Sequence, residues 1–75
     1  MTEKEFINSI KPKLKQLAFE HTPTAPSISR IKVHDFNGTV YSLITFLATS
    51  KYKRIDGETV TETYYCRYDG KLSVS

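Results

Sequence analysis

Residues 30–75 read RIKVHDFNGTVYSLITFLATSKYKRIDGETVTETYYCRYDGKLSVS, and all three glycines of the chain fall in this stretch, each directly after Asn or Asp: Asn37-Gly38, Asp56-Gly57 and Asp69-Gly70. Such dipeptides supply the positive φ that tight hairpin turns require. They divide the stretch into segments at about 29–36, 39–54, 58–68 and 71–75, each rich in β-branched and aromatic residues. Consecutive hairpins of this kind make an antiparallel meander of four strands.

Register then assigns the faces. A two-residue turn at Asn37-Gly38 pairs Ile31 with Ile44 and Val33 with Ser42. Three-residue loops with a glycine bulge at the two Asp-Gly sites put Ala48 opposite Tyr64, Phe46 opposite Cys66, and Cys66 opposite Leu72. One surface thereby collects Ile31, Val33, Val40, Ile44, Phe46, Ala48, Val60, Tyr64, Cys66, Tyr68, Leu72 and Val74. Two-residue turns at the Asp-Gly sites would invert the later strands, because a one-residue slip turns every side chain over. The bulged loops give the consistent pattern.

Upstream the period changes. Thr2 and Glu5 form a capping box, with Glu3 adding negative charge to the first turn. Phe6, Ile7, Ile10, Leu14, Leu17 and Ala18 fall within an arc of about 120° at helical spacing. That predicts an amphipathic helix over about 3–20, lying on the apolar sheet surface. Pro12 lies opposite the apolar arc, so the stretch reads either as one helix bent at a solvent-side proline or as two short helices with Ser9 capping the second. Phe19 falls outside the stripe and is expected at the corner between helix and sheet. His21–Ser29, with two prolines and several small hydroxyl residues, reads as a linker at about 21–29 into a sheet at about 29–75. The fold class is α+β: one N-terminal amphipathic helix on a four-stranded antiparallel β-meander, in the order α-β-β-β-β. The 75 residues form one small domain, 1–75. The element order is similar to that of cystatin-like and related inhibitor or adaptor architectures, a likeness of order that implies no function.

The opposite sheet surface carries Arg30, Lys32, His34, Tyr41, Leu43, Leu47, Lys51, Lys53, Thr59, Thr61, Thr63, Tyr65 and Arg67. Tyr41, Leu43, Leu47 and Tyr65 make an apolar and aromatic centre, and basic residues surround it. One helix covers one side of four strands, so this side either meets a partner or, if the long second strand bends, folds Leu43 and Leu47 into a continuous core. Tyr and Arg around apolar centres are what protein interfaces enrich. Aromatics among Lys and Arg also suit single-stranded nucleic acid, but only two stacking platforms are present and no glycine-aromatic strand signature is seen. The expected partner surface is Tyr41, Leu43, Leu47, Lys51, Lys53, Tyr65 and Arg67.

Catalytic chemistry has little to build on. His34 and Asp35 are successive strand residues and point to opposite faces. Cys66 stands at an apolar strand position and reads as a small core hydrophobe. No zinc-ligand spacing, glycine-rich phosphate loop or nucleophile elbow occurs, so neither cofactor nor metal is expected. Lys4, Lys11 and Lys15 share one flank of the helix and Lys13 the other, as lysine stems do beside a buried stripe.

Eleven Lys and Arg against eight Asp and Glu give a net charge of +3, far short of a dedicated nucleic-acid arm. No apolar run approaches the roughly 20 residues of a membrane span. The first twenty residues carry charges throughout and predict no secretory leader. A lone cysteine fits a cytoplasmic setting. The expectation is a non-catalytic protein-binding module, a small inhibitor or accessory subunit, docking through the free sheet face. Its partner is another protein or a second copy forming a homodimer. Weak single-stranded nucleic-acid binding by the same face is the alternative.

Overall fold

A computed structural model describes residues 1–75. Helix α1 spans Glu3–Phe19, followed by β1 (Ser27–His34), β2 (Leu43–Lys53), β3 (Thr59–Tyr68) and β4 (Leu72–Val74). The strands form one antiparallel sheet in the order β1-β2-β3-β4, so each pairs only with its neighbours in the chain. This is the α-β-β-β-β arrangement read from the sequence.

The helix begins where the capping box places it. The Thr2 hydroxyl accepts from the Glu5 amide at 3.2 Å, and the Glu5 carboxylate accepts from the Thr2 amide at 3.0 Å. Those donors hold the Glu5 carboxyl below its ordinary range, with the Thr2 backbone amide the larger cause. Of the two readings of Pro12, the unbroken helix is the one observed. The missing proline N–H frees the carbonyl of Asn8, and both residues are exposed, so solvent can serve it. Phe6, Leu14 and Ala18 are buried, and Ile7, Ile10 and Leu17 pack partly buried beside them. Lys13 lays its ammonium 5.4 Å from the centre of the Tyr68 ring, at the edge of the buried stripe. Phe19 does not plug the corner between helix and sheet; it is 47% exposed.

The sheet contributes Ile28, Val33, Ile44, Phe46, Ala48, Cys66 and Tyr68 to the same core, with Ile31, Tyr64, Leu72 and Val74 at its margin. The β2–β3 register is the expected one, with Ala48 opposite Tyr64 and Phe46 opposite Cys66. Its connection is a three-residue loop closed by Gly57 N–H to the Arg54 carbonyl (2.9 Å) and Arg54 N–H to the Glu58 carbonyl (2.8 Å). Gly57 sits there at φ +87°, the left-handed position such a loop reserves for glycine.

Three details differ from the sequence reading. Cys66 faces Val74 rather than Leu72, which faces Tyr68; the Asp69-Gly70 loop takes its full three residues and moves the register by two. In β1, Val33 faces Ile44 rather than Ser42, because the Asn37↔Val40 bridge puts Gly38 and Thr39 at the turn centre. Val40 is thus 67% exposed instead of buried. Between Ser29 and Lys32 the register also slips, so that Arg30 and Ile31 together oppose Phe46, and Arg30 adopts φ +52°. This bulge reverses the side-chain alternation and brings Ile28 to the core, so the linker ends earlier than expected and β1 starts at Ser27.

The molecule is elongated, 48 × 20 × 16 Å. β1 stops opposite Thr49, and β4 with Ser75 reaches back only to Tyr65. The ends of β2 and β3 therefore project as a two-stranded ribbon. At its root the Thr24 hydroxyl donates to the Lys51 carbonyl (2.8 Å) and lies 2.7 Å from the fully buried Ser50 hydroxyl. Thr24 has one proton to give, so Ser50 must be the donor in their contact. No helix is long and apolar enough to cross a membrane.

Candidate partner-binding face

Helix and core occupy the sheet side that carries the even-numbered residues of β2 and β3. The other side presents Leu43, Thr45, Leu47, Thr49, Lys51 and Lys53 from β2. Opposite them stand Thr59, Thr61, Thr63, Tyr65 and Arg67 from β3. β1 adds Lys32 and His34 beyond its bulge, and Ser27 and Ser29 before it. No other element covers this side.

Cross-strand rows give the face its layout. Leu47 lies between Ser29 and Tyr65, and Thr45 lies between Lys32 and Arg67. Thr45 is 8% exposed, and its hydroxyl is 3.2 Å from His34 Nε2. Leu43 and Leu47 are half-buried, and Tyr65 is 45% exposed. None of the three belongs to the core or to the side chains packed against it. Of the two alternatives for Leu43 and Leu47, the bent strand that draws them into a continuous core is not what forms. Thr49 and Thr63 approach at 3.4 Å, one rung of the threonine ladder.

Six of the seven expected partner residues share this side: Leu43, Leu47, Lys51, Lys53, Tyr65 and Arg67. Tyr41 does not. It precedes β2, in the loop held by the Asn37↔Val40 bridge, and its ring lies 5.3 Å from that of Phe6, partly buried against the core. Strand alternation cannot be extended into a segment that is not strand, and the apolar helix N-terminus captures the ring. Arg30 also leaves the expected alternation, being a bulge residue with left-handed backbone.

A polar cluster on the helix side of the ribbon was not singled out from the sequence. The Glu62 carboxylate accepts from the hydroxyls of both Tyr52 and Tyr64. The Tyr52 bond, then the Tyr64 bond, hold this carboxyl below its ordinary range, and the same bonds hold both phenols above theirs. The signal was available, since the Ala48–Tyr64 register places Tyr52, Glu62 and Tyr64 on one surface. Asp35 accepts from the Ser42 hydroxyl at 2.6 Å and takes φ +56°. Burial pushes the Cys66 thiol upward, as suits a core side chain. No three His, Cys, Asp or Glu side chains gather as metal ligands would.

Comparison with protein-family models, curated proteins and solved structures gives no match.

Proposed function

We propose that the chain is a non-catalytic, cytoplasmic protein-binding module, a small inhibitor or accessory subunit, that docks through the face centred on Leu43, Leu47 and Tyr65. The observation carrying this reading is that Leu47 and Tyr65 stand side by side, with Leu43 two rows further along the same side, on a sheet surface with no second layer over it. Completing the burial of Leu43 and Leu47, each already more than half buried, gains roughly 0.5–1.5 kcal/mol apiece, which with Tyr65 supplies an anchor. Lys51, Lys53 and Arg67 stand around it and would orient the partner.

Single-stranded nucleic acid is the second reading, favoured by the cations on the same face. It loses Tyr41, one of its two stacking platforms, to the helix side. The protein reading is the better supported.

The test pairs a photo-crosslinker at Thr49 with the double variant Leu43→Ser/Leu47→Ser. Both leucines lie outside the core, so the variant should keep its circular dichroism while losing the cross-linked partner. Unchanged cross-linking in a folded variant would refute the docking surface. Tight oligonucleotide binding that survives the leucine changes but collapses with salt would replace this reading with the nucleic-acid one.

A further inference from the structure

The register separates the charges by face. Lys32, Lys51, Lys53 and Arg67 stand on the open side, and no Asp or Glu of the strands does. The one acidic strand residue, Glu62, projects to the helix side with its tyrosines, while Asp35, Asp56, Glu58 and Asp69 are in loops. Since the whole chain holds eleven Lys and Arg against eight Asp and Glu, removing those four cations leaves a remainder one charge negative. The face itself is purely cationic, +4 with no strand carboxylate beside it.

The four cations form two poles. Lys32 and Arg67 flank Thr45 in one row across three strands. Lys51 and Lys53 stand in the rows of Thr61 and Thr59, on the ribbon. Six residues of β2 separate Thr45 from Lys51, about 20 Å at the usual strand rise. The space between the poles is neutral: Leu47 beside Tyr65, then Thr49 beside Thr63.

We infer that the partner bound here is an acidic protein segment carrying two clusters of carboxylates about 20 Å apart, with apolar side chains between them that meet Leu47 and Tyr65. This rests on the docking reading and specifies its occupant. A second copy fits poorly, because two such faces brought together oppose cation to cation with no carboxylate between them. Nucleic acid would use the cations but finds one exposed aromatic, Tyr65, where successive bases need successive platforms.

The test uses the full chain, isotopically labelled for amide NMR, and two synthetic peptides of equal composition. In the first, paired glutamates at each end bracket an extended run of about six apolar and hydroxyl residues, matching the pole separation. In the second, the glutamates are moved to the centre. The first peptide is expected to shift the amides of Lys32, Leu47, Lys51, Tyr65 and Arg67, and to bind at least about tenfold more tightly than the second at low salt. Lys51→Glu with Lys53→Glu should remove about tenfold of that affinity, whereas Lys4→Glu with Lys15→Glu on the helix should change it less than about twofold. Equal binding of both peptides overturns the two-pole arrangement and leaves the face as a docking surface. Tighter binding of an oligothymidylate at the same amides identifies nucleic acid as the occupant. Sedimentation as a dimer whose interface includes Leu47 identifies a second copy. If no probe and no self-association shifts those amides, the inference and the docking reading fail together.

Discussion

The hydroxyl relay at the root of the ribbon gives the sharpest test of the structure. Ser50 is fully buried and donates to Thr24, which in turn donates its own hydroxyl hydrogen to a bond with the Lys51 carbonyl. Thr24→Val keeps the shape of the side chain and deletes its oxygen. Two hydrogen bonds are lost, each worth about 0.5–1.5 kcal/mol net, and the buried Ser50 hydroxyl is left without a partner at a cost of about 1–3 kcal/mol. Allowing for overlap between these losses, the single variant should be destabilised by about 2–3 kcal/mol. Ser50→Ala removes the donor itself, and half-buried Thr24 can turn to solvent, so its cost should be nearer 1 kcal/mol. With Ser50 already absent, Thr24→Val forfeits only the Lys51 bond. The double-mutant cycle should therefore show a coupling of about 1–2 kcal/mol, the double variant being more stable than the sum of the singles implies. Urea titration followed by circular dichroism measures all four corners. Additive singles, or a Thr24→Val cost below about 0.5 kcal/mol, would refute the relay.

Other consequences are as direct. Leu14 is fully buried where the helix meets the sheet, so Leu14→Ala should cost about 2–5 kcal/mol. A domain of this size commands roughly 4–11 kcal/mol in total, so a thermal midpoint within a few degrees of the unaltered chain would contradict that placement. The Glu62 cluster sets opposite pH limbs. Because Tyr52 and Tyr64 depress the Glu62 carboxyl, its stabilising contribution is complete above the unfolded-chain value and is lost as pH falls through the folded one. The phenols are raised by the same bonds, so their contribution is complete below the unfolded phenol value and is lost as pH rises through the folded one. Glu62→Gln should flatten both limbs of a stability–pH profile; an unaltered acid limb would show that the cluster does not form.

The parts of this fold that could be read in advance are those where one residue type forces one backbone state. Gly57 at its left-handed position made the β2–β3 loop legible, and from it came the whole Ala48–Tyr64 register and the division of β2 and β3 into two faces. The β1 bulge had no such mark. Arg30 adopts a positive φ without being glycine, asparagine or aspartate, and the resulting reversal put Ile28 in the core where alternation counted from Ile31 excluded it. Tyr41 failed for a related reason: whether its segment paired as strand or looped depended on contact with Phe6, a residue 35 positions away. For the candidate face, the leucines, Tyr65 and the cations of β2 and β3 followed from register alone. Its charge purity follows from the same register, which sends Glu62 to the helix side although it lies close in sequence to those cations.

The two cationic poles are mounted differently. Lys32 and Arg67 belong to one row four strands wide, backed by Phe46, Cys66 and the helix core. Lys51 and Lys53 ride on a ribbon two strands wide, beyond the reach of β1 and β4. Two strands without a further layer are marginal by themselves and open at far lower cost than a packed core. The molecule is thus a stiff block with a compliant arm: a segment bound as proposed would begin at the fixed pair of charges, and the other pair would yield to its length.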